Sequence, residues 1–315
     1  MRGWLWLFLA ALAGAAVTAQ NRPASPNNYF RSRVDLVSVT ATVVDHDGKL
    51  VTGLPKDAFE LYEDGDRQTI TQFTNERVPI SLAVLLDASD SMYGQRLLDA
   101  RAAVERFLFE LLDPADEFCV VAFNHQPRLL TPWTRSPELI RQALSGLVPF
   151  GSTSMYDAVI ASLQLTETRS RERAALLIIS DGADTASDAA MHDVRSALVR
   201  SDSFAYAIGI DPPARRAINT SVNLSALTEI TNGSGGRTEV VHDTADLMAA
   251  TARIADELNK QYLLAYPSSR AQDGRYHSIR VHAVDPGYRV RARNGYVGLP
   301  RGGPKQTDRG DRTQP

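Results

Sequence analysis

Between Pro79 and about Lys260 the chain alternates short, continuously apolar runs with stretches whose apolar residues recur at helical spacing. The runs typical of strands are ISLAVLLD, EFCVVAF, AALLIISD, FAYAIGI and GGRTEVV. The helical stretches are RLLDARAAVERFLFELL, SPELIRQALSGL, SMYDAVIASLQLTE, AMHDVRSALVR and TADLMAATARIADEL. Continuous hydrophobicity indicates strands buried on both faces, and helices between strands favour a mostly parallel, doubly wound sheet. The pattern predicts an α/β domain over residues 77–260.

The segments on either side of this domain have the texture of antiparallel strands. In VSVTATVV, which begins at Val37, apolar and hydroxyl side chains alternate, as expected for a half-buried strand. After Lys260 similar runs return in QYLLAYP, HSIRVHAV and YRVRAR. The turn signals are Asp47-Gly48, Asp64-Gly65, Asp273-Gly274 and Asn294-Gly295. We expect an N-terminal β segment over 33–76 and a C-terminal one over 261–298, which pair into a small sandwich with the α/β domain inserted between them.

The two ends of the chain predict export rather than additional folded structure. Residues 1–19 place one arginine before an apolar run and a small-residue cleavage pattern, which is typical of a secretory signal; a retained membrane anchor is the alternative. Residues 20–32 read as a linker and 299–315 as a disordered tail. The tail contains Arg309-Gly310-Asp311, a tripeptide that integrins recognise, but so short a match arises easily by chance. We expect a secreted, periplasmic or cell-envelope protein.

Charge and residue usage argue against two functional classes. The formal net charge is −3, whereas nucleic-acid binding normally requires a basic face. The only cysteine, Cys119, lies in an apolar strand run, where thiols are usually inert. Six histidines are scattered, none clearly at a strand end beside a serine, and no His-Glu-x-x-His or phosphate loop is present. We therefore expect no enzymatic activity.

Oxygen-bearing side chains are concentrated where the predicted parallel strands end. Asp87, Ser89 and Ser91 follow the first strand, Thr153 precedes a helix, and Asp181 follows another strand. Ligands of open parallel sheets bind at this edge, and carboxylate and hydroxyl oxygens suit Mg²⁺, with Mn²⁺ or Ca²⁺ as alternatives. Two other interpretations of the serines are a helix N-cap, to which Ser91 is well suited, and a catalytic nucleophile.

The pattern Asp87-x-Ser89-x-Ser91, with Thr153 in GSTSMYDA and Asp181-Gly182 after an apolar strand, resembles the metal-ion-dependent adhesion site of von Willebrand factor type A domains. The flanks TATVVDHDGKLVTGLPKDAFELYEDG and QYLLAYP…RVRARNGYVG resemble more narrowly the bacterial exported proteins with such a domain that are abundant in acidobacteria. The resemblance covers roughly residues 30 to 298.

The resemblance implies a role for each of these positions. Ser89, Ser91 and Thr153 would ligate the ion directly or through water, while Asp87 and Asp181 would coordinate it or bind its waters. An acidic group of a protein partner would fill the open position, so that binding depends on Mg²⁺. Asp90 departs from the family, which often has glycine there, and adds negative charge near the ion.

The resulting expectation is an exported, non-enzymatic binding protein that recognises an acidic group through a divalent cation. A cell-envelope scaffold that acts through its β segments is the alternative, whereas an accessory subunit of an intracellular metal chelatase is disfavoured by the export signal. Asp157 is most simply an acid in the first turn of a helix and Asp184 a loop residue, although either side chain is close enough in sequence to support the site. The side chains of Arg289, Arg291 and Arg293 form a basic stripe, interpreted as a solvated face or as an anion-binding patch.

Overall fold

The computed structural model describes residues 35–211 and 223–299. Its strands are β1 (Asp35–Val44), β2 (Phe59–Glu63), β3 (Asp66–Gln68), β4 (Gln72–Thr74), β5 (Ile80–Asp87), β6 (Glu117–Phe123), β7 (Pro127–Thr134), β8 (Arg173–Ser180), β9 (Phe204–Ile210), β10 (Thr238–Val241), β11 (Tyr262–Ser268), β12 (Tyr276–Ala283), β13 (Arg289–Ala292) and β14 (Gly295–Val297). Its α-helices are α1 (Gln95–Arg106), α2 (Pro137–Ser145), α3 (Met155–Leu165), α4 (Met191–Arg200), α5 (Leu224–Asn232) and α6 (Thr244–Asn259).

Three of the sequence-based predictions concern segments outside these ranges. They are the signal segment 1–19, the linker 20–32, and the tail with its Arg309-Gly310-Asp311 tripeptide, of which only Leu299 is described. Among the described helices, none combines the length and the apolar character that crossing a bilayer requires.

The centre of the molecule is a six-stranded sheet in the order β10-β9-β8-β5-β6-β7. Its neighbours pair in parallel, except that β7 runs antiparallel to β6 at the edge. Every residue of β5, β6 and β8 is buried, which explains their continuous hydrophobicity. The chain leaves β5 toward β6 on one side and later returns to β8 on the other, so strand order reverses at β5.

Helices cover both faces of this sheet, as a doubly wound fold requires. The first face packs against α1, α2 and α6 through residues such as Val104, Ile140 and Ile254. The second face packs against α3, α4 and α5 through residues such as Val159 and Leu227. The predicted α/β fold class, with a mostly parallel sheet and flanking antiparallel strands, is confirmed.

The flanking strands form two antiparallel sheets, in the orders β13-β1-β11-β4 and β14-β12-β2-β3. Each sheet contains strands from both sides of the α/β domain, with Val39 opposite Leu264 in one and Leu61 opposite Val281 in the other. The four side chains lie in a single hydrophobic cluster between the sheets. The sandwich is therefore built from two segments that lie on opposite sides of the α/β domain in the sequence.

Two of the four predicted turns, Asp64-Gly65 and Asn294-Gly295, have different structures. At Asp64 and Gly65 the φ angles are +50° and +91°, the left-handed pair that a tight hairpin between β2 and β3 requires. Asn294-Gly295 is not a turn of this kind, because Gly295 begins β14. A Cβ on Gly295 would clash with the carbonyl oxygen of His277, so this glycine permits close approach of two strands.

A buried polar cluster joins the sandwich to the α/β part. The carboxylate of Glu257 in α6 accepts hydrogen bonds from Tyr206 in β9 at 2.8 Å and from Thr42 in β1 at 3.2 Å. Arg291 in β13 donates to the same carboxylate at 2.5 Å. The second face of β1 is therefore covered, and Thr42 is fully buried, which corrects the expectation of a half-buried strand.

The basic stripe on β13 is not a uniformly solvated face. Arg291 is paired with Glu257, and Arg293 donates to the backbone carbonyl of Ser38 at 2.6 Å. Arg289 alone of the three is exposed. The alternating pattern of arginines and apolar residues correctly predicts a strand, but the sequence does not show that the α/β part covers one side of that strand.

Candidate metal centre

Asp87 is the last residue of β5 and is fully buried. The hydroxyl of Ser180 donates to its Oδ2 at 2.6 Å, and the backbone N–H of Ser89 donates to its Oδ1 at 2.9 Å. Burial raises the pKa of Asp87 to about 6; the hydrogen bonds from Ser180 and Ser89 oppose that rise, and the negative charge of nearby Asp181 adds to it. The carboxylate is held rigidly at the carboxyl end of the central strand.

Ser89 and Ser91 bring two hydroxyl groups together in the loop after β5. Their Oγ atoms lie 3.0 Å apart, with Ser89 buried and Ser91 half-buried. A short 3₁₀ turn covers Asp90–Met92, and α1 begins only at Gln95, with Gly94 in the capping position. The N-cap interpretation of Ser91 is therefore wrong, because three residues separate Ser91 from the first residue of α1 and Gly94 takes the capping position.

Thr153 lies in the loop that leads into α3 and is 5% exposed. Its backbone N–H donates to the hydroxyl of Thr185 at 3.0 Å, and its carbonyl accepts from the N–H groups of Thr185 and Ala186. Its own hydroxyl has no hydrogen-bond partner within residues 35–211 and 223–299. The backbone is thus fixed while the side-chain oxygen stays available to a ligand.

Backbone hydrogen bonds connect this loop to the one after β5. The N–H of Asp90 donates to the carbonyl of Gly151, and that of Phe150 donates to the carbonyl of Ala88, both at 3.0 Å. The two loops are therefore held side by side at the carboxyl edge of the sheet.

Asp181 follows β8 directly and is 5% exposed. Its Oδ1 accepts from the N–H of Ala183 at 3.2 Å. Gly182 has a φ of +77°, and a Cβ there would lie 2.9 Å from the carbonyl oxygen of Asn223 and 3.0 Å from Leu227. Glycine at this position lets the chain turn sharply against α5, so that the Asp181 carboxyl stays at the strand end.

Three further carboxylates near these loops have different surroundings. Asp157 in α3 accepts from the N–H groups of Asp188 and Ala189, each at 3.0 Å, and so fastens the loop after β8. Burial raises the pKa of Asp184, against a hydrogen bond from Ser187. Asp90 is exposed. Asp157 therefore has a structural contact that the sequence did not indicate.

Sequence reasoning missed Ser180 and Thr185, which orient Asp87 and Thr153 respectively. Ser180 was visible as the polar end of an apolar strand, but nothing in the sequence shows which carboxylate it contacts. His125, one of the six histidines considered in the sequence, follows β6, and its ring lies 5.5 Å from that of Phe150. In the described residues it makes no hydrogen bond to Ser89 or Ser91, so no serine–histidine pair is formed.

The oxygen donors of the candidate centre are of the kind that a hard divalent cation accepts. Two neighbouring carboxylates, Asp87 and Asp181, are buried, and no lysine or arginine of the described ranges pairs with either. Buried charges are usually paired or bound to a metal. No group of three or more His, Cys, Asp or Glu side chains in those ranges is arranged to hold a metal. A cation at this place would therefore need the hydroxyl oxygens of the serines and threonine besides the two carboxylates. Mg²⁺ accepts such oxygen ligands, and softer metals do not favour them.

Residues 82–183 match a family model described as the von Willebrand factor type A domain. That range contains every residue of the candidate centre. Human inter-alpha-trypsin inhibitor heavy chain H4 is 21% identical over 225 residues, which cover 65% of this chain. The same alignment covers 23% of the human protein, so the chain spans less than a quarter of that relative's length.

Two solved structures align with this chain. A von Willebrand factor type A protein from Catenulispora acidiphila aligns with a TM-score of 0.50 and 13% identity, covering 86% of this chain and 75% of that one. The corresponding domain of the type V pili tip protein Mfa5 from Porphyromonas gingivalis aligns with a TM-score of 0.46 and 15% identity, covering 58% and 96%. From its sheet order and its family match, the chain contains a von Willebrand factor type A domain.

Proposed function

We propose that this protein binds a divalent cation, Mg²⁺ in the first place, through Asp87, Ser89, Ser91, Thr153 and Asp181, and that the bound ion recognises an acidic group of a protein partner. The main support is the pair of buried carboxylates without a described counter-charge, next to three hydroxyl-bearing residues. Domains of this family generally serve as non-enzymatic interaction modules.

The residues of the centre divide into donors and supports. Ser89, Ser91 and Thr153 offer neutral oxygens, which leave much of the ion's charge for an incoming carboxylate. Asp87 and Asp181 supply the negative charge that retains the ion. Ser180 and Thr185 keep Asp87 and Thr153 in place through the hydrogen bonds described above. When bound, the ion would supply a positive charge at which a partner's carboxylate is held.

The choice of ion depends on the charge around the centre. Asp90 is exposed beside Ser89 and Ser91, and a third carboxylate near the ion favours Ca²⁺, which takes more oxygen ligands than Mg²⁺. Mn²⁺ accepts the same donors as Mg²⁺. We propose Mg²⁺ as the resident ion, with Asp90 raising affinity for all three.

The protein is proposed to act outside the cytoplasm, in the cell envelope or as a secreted protein. The sequence of residues 1–19 supports this, through its resemblance to a secretory signal. A binding module of this kind needs no catalytic residue, and none is assigned.

Replacing Asp181 by asparagine is expected to weaken Mn²⁺ binding by at least about 100-fold, because even partners that only orient metal ligands contribute 10–100-fold. Asparagine retains the shape and the acceptor for the Ala183 N–H, so the fold should persist. The measurement is equilibrium dialysis with Mn²⁺. The matched control is Asp188→Asn, an exposed carboxylate of the same loop, which should change affinity less than about twofold. Equal effects of the two variants would remove Asp181 from the site.

Capture of partners from envelope extract tests whether the bound cation recognises a protein partner. The wild-type protein should retain a partner in Mg²⁺ and release it in chelator, and Asp181→Asn should retain none. Retention that is insensitive to both chelator and Asp181→Asn would favour the alternative of a scaffold that acts through its β segments. Removing residues 35–76 cannot separate these alternatives. Strands β1 and β4 belong to one sheet of the sandwich and β2 and β3 to the other, so the deletion would disrupt both sheets.

A further inference from the structure

A groove of about 630 Å³ runs along one side of the sandwich, between strands β12 and β13. We call it the edge groove. The two strands are consecutive in the chain but belong to different sheets, β12 to one and β13 to the other. The groove is therefore the space between the two sheets, next to the loop that connects β12 with β13. None of the residues of the candidate metal centre lines it.

One wall of the edge groove presents backbone groups of β12 that no described strand uses. Ile279 N–H bonds to Asn294 on the β14 side, whereas Val284 N–H bonds to Ala58 on the β2 side. Since backbone groups alternate in direction along a strand, those of Val281 and Ala283 point away from β2. In the described chain β14 pairs with β12 only at 276–278, so this edge stays open.

The charge of the edge groove is one-sided. Its lining includes Arg280, His282, Arg289, Arg291 and Arg293, and none of the described residues that line it is acidic. Arg291 is neutralised by Glu257, but Arg280 and Arg289 are exposed and form no ion pair within the described chain. A cationic groove on a protein with a formal net charge of −3 marks a surface for an anionic ligand.

The floor of the edge groove is apolar. Val281 is 8% exposed, and Val290 and Ala292 pack against the sandwich core. We propose that the edge groove binds an extended acidic segment of a partner protein, which adds a strand beside β12 and continues the line of β14. Alternate side chains of such a segment would face the apolar floor and the arginines.

An open strand edge favours a peptide over other polyanions. A sulfated polysaccharide would use the arginines but has no backbone amides to pair with Val281 and Ala283. An extended peptide uses both, with hydrogen bonds along the edge and carboxylates at Arg280 and Arg289. The groove does not depend on a bound cation, so its ligand should bind equally well in chelator.

The test uses a synthetic decapeptide of alternating glutamate and valine with a fluorescent label, followed by polarisation in chelator. The wild-type protein is expected to bind it. The double variant Arg280→Glu/Arg289→Glu should bind at least about tenfold more weakly, because attraction becomes repulsion. Arg135→Glu, the same charge change at an exposed site on the α/β part, should leave binding unchanged.

A second variant separates strand addition from simple charge attraction. Ala283→Pro removes an N–H that points into the groove and leaves the ladder to β2 and all the arginines in place. It should weaken the peptide about as much as the charge reversal, and a peptide with methylated backbone nitrogens should bind poorly to the wild type. The proposal is overturned if the wild type does not bind the peptide, if heparin binds and the peptide does not, or if backbone methylation has no effect. Thermal unfolding checks that each variant is folded.

Discussion

Replacing Glu257 by alanine is expected to lower the free energy of unfolding by about 3–5 kcal/mol, the cost of removing one partner from a buried ion pair. Glu257 is 1% exposed, and its carboxylate lies 3.2 Å from Arg237 and 2.5 Å from Arg291. The hydroxyls of Tyr206 and Thr42 also donate to it. Alanine would leave the hydroxyls of Tyr206 and Thr42 without this acceptor. It would also remove the carboxylate partner of Arg291 and one of the two carboxylate partners of Arg237, whose other partner is Glu239.

Because these partners come from both parts of the molecule, Glu257→Ala should also weaken the attachment of the sandwich to the α/β part. Urea unfolding at pH 7 measures the first effect, and limited proteolysis between the two parts measures the second. Asp256→Ala is the matched control on the same helix, since Asp256 forms an exposed pair with Lys260 at 2.6 Å. Such pairs contribute about 0–1 kcal/mol. Similar losses in both variants would mean that the buried cluster does not stabilise the fold.

Replacing Asp87 by asparagine is expected to stabilise the cation-free protein at pH 7 by up to about 3 kcal/mol, less what the lost hydrogen bond from Ser180 contributes, while abolishing cation binding. The pKa of Asp87 rises from 3.8 in the unfolded chain to about 6 in the fold, mainly because the carboxyl is buried. One pKa unit corresponds to about 1.4 kcal/mol. Ionising this residue therefore costs stability, whereas asparagine is neutral at every pH and retains the acceptor for Ser89.

The pH dependence follows from the same shift. Between about pH 4 and pH 6 the native state binds the proton of Asp87 more tightly than the unfolded chain does, so this residue's contribution to stability falls as pH rises and is fully lost above about pH 6. Urea unfolding in chelator should show a gain for Asp87→Asn at pH 7 and almost none at pH 4. Asp188→Asn should show no such difference. A variant less stable than the wild type at pH 7 in chelator would contradict the assigned cost of the buried charge.

A buried carboxylate that lowers stability, such as that of Asp87, is expected to serve a function. With a cation bound, the same charge becomes favourable, and binding would add stability in proportion to the ion concentration. Opposite effects of one substitution on stability and on binding are the signature of a functional site, and a purely structural aspartate would not show them.

Most of the α/β fold was predictable because its strands are buried on both faces and are therefore apolar throughout. Two elements were not predicted. β7 contains Pro127 and Pro132 and buries only Thr131, since it is the edge strand of the sheet and needs little hydrophobicity. α5 follows residues 212–222, and its short helical pattern gave no separate signal. Strand patterns on both sides of the α/β domain suggested that the flanks pair, but they do not give the order of the strands. The burial of Thr42 depends on contacts with α6, which the sequence does not show.

The candidate centre could be assembled from sequence because parallel strands end at one edge of a sheet. Asp87 and Asp181 each stand at such an end, so topology makes these two neighbours. Thr153 lies in the loop between α2 and α3, and backbone hydrogen bonds from Asp90 to Gly151 and from Phe150 to Ala88 hold that loop beside the one after β5. The contacts of Ser180, Thr185 and Asp157 could not be foreseen, because they join residues about 30 to 90 positions apart. The sequence alone leaves open the alternative role of Ser91 as a helix cap, because the 3₁₀ turn Asp90–Met92 that precedes α1 has no distinct sequence pattern.

Titration calorimetry of Mg²⁺ and Mn²⁺ into the wild-type protein at pH 7.5 tests the central claim most directly. One ion is expected to bind per chain, at a site that Asp87→Asn and Asp181→Asn abolish and Asp188→Asn preserves. Absence of binding by both ions in the wild type, or binding that survives both substitutions, would contradict a cation site at Asp87, Ser89, Ser91, Thr153 and Asp181.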